Sequence, residues 1–334
     1  MSSPPRPLAR RHRVAVVGAG AMGRRHTRVL SQLAQRFEVV GVLDLDARAA
    51  LAACEEWQVP RLITEQEALG QADAIVVATP IAAHAETVKR ALAAGRHVLV
   101  EKPIAATVSD ARALLALADR AGRQLFVGHS ERFNPVVRAL VARVDPGDVL
   151  AVELRRVGAP SSPSRAADGA LLNLGVHDLD LAAYLTQSPL SLRHAGGDAD
   201  TAHVLVRTAS GAAGHVHVDQ RALRRQRTLA LTTRTHIYQG DLMVPSLTVT
   251  CRVTGRRESV TLGTEEPLVL QALAFADALD GDVSRTIARG IDGARALLAA
   301  ERAAERIERR AVTAPPSVRT LAVAARGAVA AEKL

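Results

Sequence analysis

Five short, almost unbroken runs of Val, Ile and Leu constrain this chain most. They are RVAVVG (13–18), FEVVGVLD (37–44), ADAIVVATP (72–80), RHVLVEKP (96–103) and QLFVGHS (124–130). A strand with one face in water alternates apolar and polar residues, whereas a run apolar throughout is buried on both faces. Ala/Leu-rich helical stretches separate the runs and supply the cover. The pattern predicts a doubly wound α/β domain with a parallel sheet over residues 13–127.

The texture then changes. A helix over 134–144 leads to VLAVELRRVG, the loop APSSPSRAADGA and a helical segment, LLNLGVHDLDLAAYL. Beyond it AHVLVRT, GAAGHVHVD, RTLALTT, THIYQG, SLTVTCRV and ESVTLG follow one another without helices. That succession predicts a mostly antiparallel open sheet, and helices over 267–279 and 290–309 complete an α+β domain spanning 128–310. An open sheet leaves an outer face to cover, which implies a homo-oligomer, a dimer or tetramer. Residues 1–12 read as a flexible leader, since the basic, Pro-rich start lacks the apolar stretch of a secretory signal. Residues 311–334 read as a loosely packed tail.

With 334 residues, 48% hydrophobic and 23% charged, the chain has material for two cores. It holds no apolar run of about 18 residues, so no membrane partner is expected. Cys54 and Cys251 stand far apart without ligand spacing, which gives no metal site and suits the reducing cytoplasm. The net charge of +9 raises the question of nucleic acid, yet aromatics are only 2%, too few for base-stacking platforms. No helix-turn-helix signal accompanies the charge, so no nucleic-acid partner is expected. The arginines suit a solvated surface, with a local cluster left for an anionic small molecule.

Gly18-Ala19-Gly20-Ala21-Met22-Gly23 directly follows the first strand and opens a helix. Gly18 permits the tight turn, Gly20 lets backbone amides approach a pyrophosphate, and Gly23 lets the helix pack on the strand. The helix N-terminus faces the anion. Asp44 ends the second strand, where a carboxylate accepts both ribose hydroxyls and repels a 2′-phosphate. The cofactor read from this arrangement is NAD, with Arg48 one turn on as a softening influence. Thr79 and Pro80 end the third strand at the ligand-binding edge of the sheet, and His84 follows on the next helix as a packing or cofactor-neighbour residue.

The chain has only three lysines, Lys89, Lys102 and Lys333. Lys102 stands at that same edge, between Glu101 and Pro103, and an X-Pro bond is the one place where a cis peptide is cheap. A proline there fixes the chain sharply and aims the amine into the crevice. Taken together, the GxGxxG, Asp44, Ala78-Thr79-Pro80 with His84, and Glu101-Lys102-Pro103 resemble the glucose–fructose oxidoreductase/inositol dehydrogenase (Gfo/Idh/MocA) family over roughly residues 12–310. The resemblance implies a dehydrogenase in which Lys102 sits beside nicotinamide and substrate. It also implies that His177, in NLGVHDLD, stands at the reacting carbinol, with Asn173 where family members carry aspartate.

On α-helical spacing Asn173 and His177 share a face, with Asp180 nearly aligned. The roles assigned are His177 as base, needing little tuning, Lys102 as polariser or relay, and Asn173 as positioner. GHSERFNPVVRAL (128–140) and the stretch from 155 to 186 are similar to a narrower branch, the UDP-N-acetylglucosamine 3-dehydrogenases. These oxidise the sugar 3-hydroxyl to a ketone that a partner aminotransferase converts to an amine for lipid A precursors. A nucleotide-sugar diphosphate wants guanidinium forks. Arg132, Arg155, Arg156 and Arg165 fall around the expected mouth of the crevice, and Asn134 is placed to meet a sugar hydroxyl. Competing readings are an inositol or other sugar dehydrogenase, a redox-neutral NAD-dependent glycosidase, and a non-catalytic NAD-binding regulator.

Overall fold

The computed structural model describes residues 10–62, 64–160 and 167–313. The first sheet contains β1 (His12–Val17), β2 (Phe37–Leu43), β3 (Ala74–Val77), β4 (His97–Val100) and β5 (Leu125–Val127). Between them run α1 (Ala21–Gln32), α2 (Ala47–Trp57), α3 (Glu65–Gln71), α4 (Ile81–Ala93) and α5 (Val108–Ala121). The five strands are parallel, in the order β5-β4-β3-β1-β2. Successive residues of β1 serve opposite faces. Val14 and Val16 join one buried layer with Leu30 and Phe37, while Ala15 and Val17 join another with Ile75 and Leu92. This is the doubly wound parallel sheet expected from the apolar runs.

The second half begins with a 3₁₀ turn at Ser130–Phe133 and α6 (Pro135–Val141), where the sequence pattern suggested one longer helix. The second sheet then forms from β6 (Val149–Val157), β7 (Leu190–Gly197), β8 (Thr201–Thr208), β9 (Ala213–Asp219), β10 (Gln226–Thr233), β11 (His236–Asp241), β12 (Ser246–Cys251) and β13 (Arg257–Ser259). Its order is β13-β12-β11-β10-β6-β9-β8-β7, antiparallel throughout except for the parallel β6–β9 pair. Edge strand β7 escaped the sequence reading because LSLRHAGG mixes Arg, His and Gly with few β formers. One face packs on α7 (Val176–Thr186) and α9 (Gly290–Thr313) through Val152, Leu154, Val204, Val216, Leu179, Leu185 and Ala303. Leu150 and Leu205 are exposed.

The division at residue 128 does not separate the two cores. Helix α8 (Pro267–Leu279) buries Leu268, Phe275 and Ala276 against Val14, Leu30 and Phe37 of the first unit. Strand β14 (Ala288–Arg289) pairs antiparallel with β5 and extends the first sheet. The late chain thus completes the Rossmann unit before α9 packs on the second sheet, and the two sheets are held around a shared seam. Among the described residues no helix is long and apolar enough to cross a membrane.

Candidate active site

The glycine loop is shaped by two close approaches. Gly18 has φ +103°, and a Cβ there would lie 2.5 Å from the carbonyl oxygen of Ala78. A Cβ on Gly23 would overlap the Gly18 carbonyl oxygen at 1.8 Å. Around Gly20, in contrast, nothing lies within 4 Å of a built Cβ. The loop is therefore tight where helix meets strand and open where an anion would rest. Asp44 accepts from the Ala19 amide at 2.5 Å and from the Asp46 amide at 2.8 Å, which fixes its carboxylate against the glycine loop. The hydroxyl of Thr79, at the end of β3, is buried without a partner. An open glycine cradle, a fixed carboxylate and an orphaned hydroxyl along one sheet edge fit a dinucleotide. Met22 is half-buried beside this loop and packs on the α1 side of the sheet.

His84 lies slightly farther back. Its ring bridges two backbone carbonyls, with Nδ1 2.7 Å from Pro103 O and Nε2 2.9 Å from Thr79 O. Burial pushes its pKa down against the pull of those carbonyls, and the ring ties the ends of β3 and β4 together. The Lys102–Pro103 peptide is cis. Glu101 is buried and its Oε1 lies 2.8 Å from His26 Nε2. Burial alone would raise this carboxyl, but His26 and then Lys102 hold it below the usual range. Gly128 makes the room, since a Cβ there would come within 2.9 Å of Glu101 Oε1.

Lys102 is 8% exposed, and its Nζ donates to the backbone carbonyl of Asn173 at 2.7 Å. Residues Leu171–Gly175 form a π-helical turn ahead of α7, not the α-helix assumed from the sequence. Such wide turns interrupt regular helices at functional sites. The α-helical i, i+4 face argued for Asn173 and His177 therefore does not hold, and it is the Asn173 backbone that meets the lysine. Asp180 turns away to Arg132. His177 Nδ1 is buried without a partner. Its pKa lies well below the ordinary value, through burial first and then the charges of Lys102 and Arg156. The sequence reading of an imidazole that needs little tuning is corrected accordingly. This site holds the ring neutral, because burial and the neighbouring positive charges disfavour its protonated form.

The arginines expected to meet a diphosphate are mostly spent inside the protein. Arg156 is 2% exposed and donates to Asp178 Oδ1 (3.0 and 2.8 Å) and to Glu131 Oε1 (2.9 Å). Arg132 is clamped on Asp180 through Nε (2.8 Å) and Nη2 (2.6 Å), with Asp292 3.3 Å from Nη1 and the Tyr184 ring beneath. Asn134 caps α6 and donates to Glu131 and to Leu242 O. Arg155 is exposed on the outer face of β6 beside His217. None of these four is free at a crevice mouth, and Arg165 lies outside the described residues. Alternation explains the error, since Arg155 and Arg156 are neighbours in sequence and must face opposite sides of one strand.

Sequence reasoning missed three residues. Arg227, on β10, shares Glu131 with Arg156 at 2.9 Å, and 40% of its side chain is exposed. It is charged, near His177, and retains donors for a ligand. Glu131 is the carboxylate both arginines share. His129 is buried with neither ring nitrogen partnered. Its signal was present in GHSERFNP, but a single histidine beside a strand end carries no spacing that marks it.

Comparison with known proteins agrees with this architecture. Residues 12–129 match the "Oxidoreductase family, NAD-binding Rossmann fold" of GFO/IDH/MocA proteins, and residues 136–240 match the GFO/IDH/MocA C-terminal domain. An inositol 2-dehydrogenase of Paenarthrobacter aurescens is 30% identical over 316 residues, 86% of this chain and 94% of that protein. The chain belongs to the GFO/IDH/MocA family. It is an NAD-binding oxidoreductase with dehydrogenases among its relatives. A UDP-N-acetylglucosamine 3-dehydrogenase of Acidithiobacillus ferrooxidans is 26% identical over 302 residues, 86% of this chain and 95% of that protein. The solved structure of that organism's enzyme superposes with a TM-score of 0.82 at 25% identity, over 90% of this chain and 98% of its own. GenD2 of gentamicin A biosynthesis, solved with NAD, gives a TM-score of 0.76 at 26% identity, over 91% of this chain and 97% of its own.

Proposed function

We propose that this protein oxidises the 3-hydroxyl of UDP-N-acetylglucosamine to a ketone. One observation carries the chemistry: the Lys102 ammonium rests on the Asn173 carbonyl beside the neutral ring of His177, at the carboxyl edge of a dinucleotide sheet. NAD, when bound, supplies the hydride acceptor. His177 takes the hydroxyl proton, since its neutral ring carries a free lone pair. Lys102, whose Nζ donates to the Asn173 carbonyl, stands where it can donate to the substrate oxygen as negative charge develops there. The Asn173 side chain positions the sugar. Asn cannot carry charge, but the carbonyl that holds Lys102 belongs to the backbone and would be the same with aspartate.

The likeness to the Acidithiobacillus enzyme along nearly its whole length supports this sugar. Arg227 replaces the buried arginines as the guanidinium for the diphosphate. The ketone suits an aminotransferase as the next enzyme, and the exposed outer face of the second sheet suits a second copy of the chain. A cytoplasmic setting, where nucleotide sugars and NAD are available, completes this reading. One observation favours a different substrate. With Arg132 and Arg156 neutralised internally, an unphosphorylated polyol needs nothing that this site lacks.

Mixing the protein with NAD and either UDP-N-acetylglucosamine or myo-inositol, with an aminotransferase and amino donor to pull the ketone forward, separates the two readings. NADH from the nucleotide sugar alone, with KM raised by Arg227→Ala, supports the first. NADH from myo-inositol alone supports the second.

A further inference from the structure

His129 is the one buried titratable group at this site with no explained role. It is 2% exposed, and both ring nitrogens lack hydrogen-bond partners. Such a group costs stability, and native structures keep one where water, ligand or chemistry uses it. Its ring stands edge-on to that of His177, with centroids 6.2 Å apart at 81°. That spacing is within reach of a single bridging water. On its other side, Nδ1 lies 3.7 Å from Asp180 Oδ2.

The charges around the two rings are unequal. His177 feels Lys102, Arg156 and Arg227, all positive, together with His129. Burial lowers the His129 pKa as well, but the Asp180 carboxylate and, less strongly, Asp292 oppose it, against Arg132 and Lys102 on the positive side. Burial pushes the Asp180 carboxyl up, yet Arg132 and then His129 bring it below its ordinary value, so it stays an anion. A proton on His177 is therefore drawn toward His129, where an anion stabilises the imidazolium without taking the proton itself. Asp180, Arg132, Tyr184 and Asp292 also line a cavity of about 660 Å³, which offers a way to solvent.

We propose that His129 is the second member of a proton relay, receiving from His177 the proton that leaves the substrate hydroxyl and passing it past Asp180 to solvent. This rests on His177 being the base. As the carbinol C–H leaves as hydride to NAD, the O–H electron pair becomes the second bond of the ketone. The proton moves to His177, then to His129, then to water, and each imidazole ends neutral.

The test uses His129→Phe, which keeps the ring shape, and His129→Gln, which keeps polarity, so that one folded variant suffices. In the protein without cofactor, NMR titration of the histidine rings is expected to show His129 and His177 as a coupled pair. Removing His129 is expected to raise the His177 midpoint. In turnover with UDP-N-acetylglucosamine, kcat is expected to fall roughly 10- to 100-fold with KM little changed. The curved dependence of rate on deuterium content of the solvent is expected to become linear. A Phe variant with unchanged kcat, unchanged solvent isotope behaviour and an unmoved His177 midpoint would show that the ring only packs, and the relay would fall. If the wild type itself makes no NADH, the substrate reading fails, while the titration still decides whether the rings are coupled.

Discussion

Arg156→Met separates a structural arginine from a substrate-binding one. Methionine replaces much of the aliphatic stem, so the loss is electrostatic and not a large cavity. Asp178 loses the partner on both 2.8 and 3.0 Å contacts, and its Oδ2 already has none. Glu131 keeps Asn134 and Arg227. Removing one partner of a buried pair costs about 3–5 kcal/mol, and Asp178 bears most of it.

The pH dependence follows from sign. Burial already raises the Asp178 pKa despite Arg156, and the variant raises it further. A carboxyl whose folded pKa exceeds its unfolded value destabilises more as pH rises, so the deficit should be larger at pH 8 than at pH 5. Urea unfolding at both pH values measures it, and adding Asp178→Asn should restore part of the loss at the higher pH. A variant that unfolds like wild type but raises KM for the nucleotide sugar about tenfold would refute this reasoning and return Arg156 to the substrate.

Four further substitutions have expected outcomes. Lys102→Ala should lower kcat roughly 10²- to 10⁴-fold. It should also move the His177 midpoint upward by NMR, because Lys102 is the leading charge that depresses it. Asn173→Ala leaves the Lys102–carbonyl contact intact, so kcat should fall at least about tenfold less than in His177→Ala. Gly20→Ala meets no atom within 4 Å and should fold normally while binding NAD more weakly. Gly23→Ala collides with Gly18 and should fold poorly, as thermal unfolding and NAD titration together will show.

The apolar runs disclosed the Rossmann sheet because burial on both faces leaves a mark along contiguous residues. The glycine loop was equally legible, since backbone approach at Gly18 and Gly23 admits one residue type. The second sheet was visible as a succession of strands, although β7 hid at an edge, where packing imposes little composition. Contacts distant in sequence left no local signal. Nothing in LVLQALAFADAL says that Phe275 packs on Phe37, or that Arg156 serves Asp178 and Glu131. Charged residues read as ligand-binding when their partners lie elsewhere in the chain. The π turn was invisible for the related reason that LLNLG suits an α-helix equally well.

We propose that Lys102 and His177 direct oxidation at C3 of a nucleotide sugar, and UDP-N-acetylglucosamine deuterated at that carbon reports which hydrogen leaves. Single turnover with NAD should give deuterated NADH by mass spectrometry, and Lys102→Ala and His177→Ala should slow the transfer roughly 10²- to 10⁴-fold. Unlabelled NADH would place the oxidation at another carbon. Absence of NADH from this sugar, with formation from myo-inositol, would contradict the substrate while leaving the dehydrogenase in place.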